Sequence, residues 1–323
     1  MTARRTLLAC LVVMPVAARA ETNLGDELVD ALEGAFGVHA GMRRVHAKGR
    51  LYDGRFLPLP AAAGVSTAPQ FTAPTPIFLR FSDGPGIPNI PDGDPNALPP
   101  GLGLRFLTPG GAANDIVANA DEGFPVRTGE DFALFLRAIA ASGPSVAQPT
   151  PLESFVATHP ETQRFLARPR QVPRSFGTTR YFGNNALVFL AADGVRRAFR
   201  YVIEPEPGLA AYTPEEARRQ RPDFLYEDLA ARLRQGPVRF GLVAQMAGAG
   251  DRTDDVTLLW PADRERLLLG TLEVTGEHPD QTAERELFLD PNNLPQGILL
   301  SDDPMLPARQ QAYGVGISRR LAR

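Results

Sequence analysis

The chain has 323 residues, 43% of them apolar and 22% charged, with a formal net charge of −3. This composition excludes a disordered chain and a bundle of membrane spans, and the slight acidity excludes nucleic-acid binding through a general basic field. The single cysteine, Cys10, excludes an internal disulfide and a thiolate metal cluster.

The first twenty residues read as an export signal. Arg4 and Arg5 precede an apolar run from Leu7 to Val16, and Ala18-Arg19-Ala20 has the small-x-small pattern of a cleavage site. Cleavage after Ala20 is expected, leaving residues 21–323 as one domain in the periplasm or the medium. Arg4-Arg5-Thr6-Leu7-Leu8 also allows a twin-arginine route besides the general secretory one. The run is too short to span a membrane, so no membrane span is expected. Loss of Arg4, Arg5 and Arg19, with no acid in that segment, takes the charge from −3 to −6.

From Asn23 to Phe36 apolar residues recur at helical spacing, and the helix ends near Gly37. Arg43-Arg44-Val45-His46-Ala47-Lys48-Gly49 follows, a histidine set between bases and a strand-like run. Strands are expected after Ala47, with Asp53-Gly54 as a turn or bulge, and at Ile77–Ser82, Leu102–Leu107, Asp115–Asn119, Ala186–Leu190, Ala198–Ile203, Val238–Ala244 and Leu269–Val274. A Pro/Ala-rich link joins the first to the second. About eight strands with hidden edges predict an α+β fold built on a closed antiparallel barrel.

Helices are expected around Phe132–Ile139, over Leu225–Leu233, and from Pro304 to about Arg320 behind the capping aspartates Asp302 and Asp303. The loop from Asp83 to Gly101 opens with the rhythm of a calcium site at Asp92, but Ala97 and Gly103 stand where glycine and glutamate are required. It reads as a turn-rich loop. His39, His159 and His278 read as surface residues, and Trp260 as core.

Arg309, Tyr313, Gly316 and Arg320 fall at i, i+4, i+7 and i+11, which puts a tyrosine between two arginines on one helix face, with a gap beside it. An arginine one turn before a tyrosine stabilises negative charge on its oxygen, and a phenolate is a known axial ligand of haem iron. A surface tyrosine lying between arginine stems has the same spacing. The helix by itself leaves both readings open.

Five segments decide between them: Arg43-x-Val-His46-Ala-Lys-Gly, Pro76-Ile-Phe-Leu-Arg80-Phe-Ser82, Asp115-Ile-Val-Ala-Asn119, Phe288-Leu-Asp-Pro-Asn-Asn-Leu-Pro-Gln-Gly297 and Arg309-Gln-Gln-Ala-Tyr313. In order and separation they resemble the haem catalase superfamily, and within it the small catalase-related peroxidases, from about Gly41 onward. The resemblance implies a catalase-like fold whose last helix ligates haem b through Tyr313, with Arg309 stabilising the phenolate. It implies His46 as distal acid and base, Asn119 as the amide that orients peroxide, and Ser82 as a hydrogen-bond partner of the His46 ring. Arg43, Arg80 and Arg320 would hold the haem propionates, while Val45 and Phe132 would pack on the macrocycle.

The activity so implied is reduction of hydrogen peroxide with small organic reductants. Only ten residues follow Tyr313, and the segment after Ser82 is rich in proline and glycine. Both departures from large catalases suggest a more open cleft and weak peroxide dismutation. A monomer or small homo-oligomer is expected. A haem carrier, or an isomerase of fatty-acid hydroperoxides on the same barrel, are the competing functions.

Overall fold

The computed structural model describes residues 23–322 apart from Gly110 and Ala112, so the expected export signal lies outside the described residues. Strand β1 (Gly49–Pro58) leads through helix α2 (Pro60–Val65) to β2 (Thr75–Ser82), β3 (Gly101–Leu107) and β4 (Ala113–Asn119). Helix α1 (Leu24–Phe36) precedes them, and α3 (Gly129–Ala140), α4 (Pro151–Thr158) and α5 (Pro160–Leu166) follow. After the short β5 (Val172–Pro173) come β6 (Tyr181–Leu190) and β7 (Arg196–Pro205). The two-residue β8 (Ala211–Tyr212), α6 (Pro214–Arg218) and α7 (Phe224–Leu233) lead to β9 (Val238–Met246) and β10 (Arg266–Glu277). Strand β11 (Ile298–Leu300) and helix α8 (Met305–Leu321) end the described chain.

Neighbouring strands run in the order β6-β4-β3-β2-β1-β10-β9-β7, and β7 pairs back onto β6. Every pairing is antiparallel, so eight strands close a barrel and the architecture is α+β, as expected from the sequence. The alternation of side chains sets what lies inside. Ile77, Leu79 and Phe81 of β2, with Leu102, Leu104 and Phe106 of β3, are all buried in the main core, together with Phe56, Phe199 and Phe240. The barrel interior is therefore a packed aromatic core. The other face carries polar side chains, Arg80 and Ser82, which alternate with the core residues of β2 and are themselves buried.

Two differences from the sequence reading have physical causes. The Pro/Ala-rich link contains α2, started by Pro60 at its first position and propagated by an alanine run, with Ala62 fully buried. Of the two readings of Asp53-Gly54, the bulge is the one formed: β1 runs on through it against β10, and a Cβ on Gly54 would lie 2.3 Å from the Glu273 carbonyl oxygen. The helices α4, α5 and α6 are of eight, seven and five residues, too short for a periodic apolar face to reveal them.

A second apolar cluster lies outside the barrel. Leu28, Ala31 and Leu32 of α1 meet Ala133 and Leu136 of α3 and Ala308 of α8. Glycines set the spacing: a Cβ on Gly129 would lie 2.6 Å from that of Ala308, and one on Gly25 would lie 2.8 Å from the Gln311 carbonyl oxygen. These three helices enclose a cleft against the outer face of β2, β3 and β4.

Candidate active site

The floor of the cleft is flat because two outward positions of β3 and one of β1 are glycine. A Cβ on Gly101 would meet the His46 ring at 2.8 Å, one on Gly103 would meet Leu289 at 2.4 Å, and one on Gly49 the Arg80 guanidinium at 2.4 Å. Only bare backbone lets these side chains lie directly on the sheet.

His46 is held by its backbone as well as its ring. Its φ of +56° puts it in the left-handed region, the only non-glycine residue there among those described. Three contacts hold it there: its N–H donates to the Gly84 carbonyl (2.9 Å), Ala47 N–H donates to that of Pro85 (3.0 Å), and Arg80 Nη2 donates to the His46 carbonyl (2.8 Å). Nδ1 lies 2.7 Å from the Asp83 carbonyl oxygen, and a carbonyl can only accept. The proton therefore sits on Nδ1, and the lone pair is on Nε2. Ser82 Oγ stands 3.2 Å from the same Nδ1 and 3.5 Å from the Gly101 carbonyl it donates to. Burial, and then the charge of Arg80, push the His46 pKa down to about 4, so the ring is neutral over most of the pH range.

The cleft has two adjoining lobes, both lined by His46, Val45, Leu32, Val117, Ala118, Ala312 and Tyr313. One lobe adds Asn119, Phe132 and Arg309. Asn119 Oδ1 accepts the Asp121 N–H at 2.9 Å, which leaves its Nδ2 donor for the cleft. The other lobe adds Arg43, Arg80, Ser82 and Arg320. Every residue singled out in the sequence thus lines this cleft. His39, His159 and His278 do not; each is half-buried, and His278 Nδ1 lies 2.8 Å from Asp53 Oδ1 while His159 stacks on Phe155. Trp260 is 4% exposed, with Arg200 over its ring, and it packs as core.

At Tyr313, Arg309 Nη2 donates to the phenolic oxygen at 3.2 Å, as the helical spacing requires. Sequence reasoning missed what holds Arg309. Its Nη1 donates to Asn185 Oδ1 (2.5 Å), Asn185 Nδ2 donates to Asp303 Oδ2 (2.9 Å), and Asp303 Oδ1 accepts the Met305 N–H at the start of α8. Asn185 lies where β6 slips register against β7, a bulge with no local sequence signature.

Arg43, Arg80 and Arg320 form the charged end. Arg43 and Arg80 share the Glu284 carboxylate at 2.9 and 2.8 Å, and Arg43 and Arg320 both donate to the Leu287 carbonyl. Burial works against ionisation of Glu284, but Arg80 and Arg43 hold its carboxyl below the usual range. Burial and Arg43 lower Arg320 to about 10, and its Nε is buried without a partner. Three guanidiniums face one carboxylate, leaving two positive charges over. The segment carrying Leu287 is pinned by Asp115, which takes a two-point contact from Arg105 (2.7 and 2.6 Å) and accepts from Asp290 N–H and Asn293 Nδ2.

These features define a class: an antiparallel barrel supporting an apolar cofactor cleft, with a neutral histidine and an amide lining it, an arginine-backed tyrosine in its wall, and unbalanced arginines at one end. The chain belongs to the catalase family, whose match covers residues 38–323. A catalase-related peroxidase of Mycolicibacterium paratuberculosis is 35% identical over 302 residues, covering 91% of this chain and 94% of that protein. One of Synechococcus elongatus is 31% identical over 322 residues, covering 98% and 94%. Catalase-1 of Neurospora crassa is 27% identical over 298 residues, covering 84% of this chain but 40% of that protein. The fold is thus catalase-like and the chain is an oxidoreductase. Catalases generally bind haem, and the cleft suits it: the surplus of two positive charges matches two carboxylates, the Arg320 Nε lacks an acceptor, and a Cβ on Gly316 would find open space.

Proposed function

We propose that this chain is an exported haem peroxidase that reduces hydrogen peroxide with small organic reductants and disproportionates peroxide only weakly. The observation that carries the reading is the fixed tautomer of His46, which keeps a basic Nε2 in the same cleft as the Arg309-backed Tyr313. Its closest support in sequence is the likeness to proteins named catalase-related peroxidase.

Tyr313 would ligate the iron of haem b, Arg43, Arg80 and Arg320 would hold the propionates, and Val45 and Phe132 would pack on the ring. Bound there, haem supplies the two-electron redox couple on which peroxide acts. His46 Nε2 takes the proton from one peroxide oxygen and returns it to the other, so that the O–O bond breaks with water as leaving group. Asn119 Nδ2 donates to the peroxide and fixes which oxygen faces His46. Arg309 stabilises negative charge on the Tyr313 oxygen, and the Asn185–Asp303 chain keeps Arg309 in place.

The test is a haem titration of the purified chain, followed by rapid mixing with hydrogen peroxide. The parent is expected to bind one haem with a ferric phenolate spectrum; Tyr313→Phe loses that spectrum, and His46→Ala keeps it while peroxide reduction falls by about 10²–10⁴-fold. A chain that binds no haem refutes the reading. Haem bound with negligible peroxide turnover, and no loss of rate in His46→Ala, would make the protein a carrier.

A further inference from the structure

Beside the reaction cleft lies a second one, which shares Phe182 with it as a lining residue. At about 270 Å³ it is roomier than either lobe of the first, at about 120 and 160 Å³. Hydrogen peroxide needs no such space. Phe182 is paired in the barrel with Asn119, and the peptide N–H of Asp121 holds the Asn119 amide, so the two clefts share their wall at the residue set to orient peroxide.

The walls are unlike those of the first cleft. Pro99, Pro100, Pro169 and Pro173 line it with compact, conformationally restricted apolar rings. Neither lining arginine is free: Arg180 is paired with Glu204 at 2.6 Å, a carboxylate it shares with Arg266, and Arg170 faces Asp121 at 3.2 Å. An anionic guest would have to draw an arginine off its carboxylate. Asp121 Oδ2 is buried, and although it lies near Arg170 Nη2 it receives no aligned hydrogen bond, so it lacks a donor. Burial raises the Asp121 carboxyl above its ordinary range, against the pull of Arg170 and Arg168, which makes it the better proton acceptor.

We infer that this second cleft is the reductant subsite, and that it takes a small uncharged phenol whose ring lies on the proline walls and whose hydroxyl donates to the Asp121 carboxylate. The inference rests on the peroxidase reading above and names its co-substrate class. Each phenol gives up one electron, across the Phe182 wall, and its hydroxyl proton, to Asp121, and leaves as a neutral phenoxyl radical. Two phenols supply the two electrons and two protons that convert one hydrogen peroxide to two waters.

The test uses the haem-loaded enzyme with guaiacol as the probe. Calorimetric binding of guaiacol to the resting enzyme is measured beside steady-state oxidation, in the parent, in Ala210→Trp, which fills the cleft, and in Asp121→Asn, which keeps its shape. Ala210→Trp is expected to abolish measurable binding and raise the KM for guaiacol at least tenfold while leaving peroxide disproportionation unchanged. In Asp121→Asn, the Kd and the KM for guaiacol rise together by about tenfold, the loss of one charge-assisted hydrogen bond. Unchanged guaiacol binding and KM in both variants overturns the subsite while leaving the peroxidase reading intact. Guaiacol that binds the parent but not Ala210→Trp, in an enzyme that oxidises no donor, keeps the cleft as a phenol site and refutes the peroxidase reading instead.

Discussion

In the proposed mechanism His46 makes both proton transfers, and its neighbours set how it can do so. A left-handed backbone costs a non-glycine residue about 1 kcal/mol, offset here by the carbonyls of Gly84 and Pro85 and by the Arg80 guanidinium. The return is a ring seated against Gly101 with Nδ1 committed to the Asp83 carbonyl. Because burial and Arg80 depress its pKa to about 4, the base is lost only in acid. Peroxide reduction is expected to be flat from neutrality down to about pH 5 and to fall tenfold per unit below pH 4. A pH–rate profile on haem-loaded enzyme that breaks near 6.5, the value of an ordinary histidine, would contradict this environment for the ring. The same shift has a stability sign: the unfolded chain takes up the proton first, so this residue's contribution is complete above about pH 6.5 and is lost as pH falls toward 4.

At the scale of elements, Lys48 ties together three parts of the fold. Its ammonium contacts Asp92 (2.5 Å), Asp223 (2.8 Å), the Ile90 carbonyl (2.8 Å) and the Pro222 carbonyl (3.2 Å). Asp92 in turn accepts the Leu225 N–H in the first turn of α7. The entry to β1, the loop after β2 and the start of α7 are thereby joined, and that loop supplies the carbonyls that hold His46. Lys48→Met leaves the buried Asp92 carboxylate without its cation and is expected to cost about 3–5 kcal/mol, read as a lowered urea midpoint. At the helix seam, Gly129→Val forces a branched side chain toward Ala308 and is expected to cost about 1–3 kcal/mol; an unchanged midpoint would mean that α3 and α8 slide apart freely. Neither junction is legible in sequence. Lys48 and Asp223 are far apart along the chain, and no local pattern joins them. What is legible follows period: several of the barrel strands alternate, α1, α3 and α7 carry apolar faces, and the α8 arginines and tyrosine share one face because the helix repeats every 3.6 residues. Glu284 between two arginines, Asn185 in a bulge and Asp92 under Lys48 depend on register and long-range pairing, which no local pattern records.

For the molecule as a whole, these placements give a stability profile with opposing slopes. The packed barrel contributes little that depends on pH, so the profile is set by groups buried outside it. His46 favours higher pH, as argued above. Asp83, 1% exposed and next to Asp92, has the opposite sign: burial first and Asp92 second raise its carboxyl to about 8, against the pull of Lys48. Its folded-state value exceeds the unfolded one near 4, so the folded chain holds the proton longer. The stability from Asp83 is therefore fully present below about pH 4 and is lost as pH rises through about 8, at about 1.4 kcal/mol for each pH unit between the two values. Asp83→Asn keeps the shape and removes the titration, while the carbonyl that holds His46 Nδ1 belongs to the main chain and is retained. The variant's stability, relative to the parent, is expected to grow between pH 5 and pH 9, while its haem spectrum and low-pH activity limb stay those of the parent. Urea unfolding at those two pH values reads the difference directly. Equal differences at both would mean that Asp83 is ionised throughout, held as a carboxylate by Lys48, and that the cluster stabilises the loop as an ion pair at every pH.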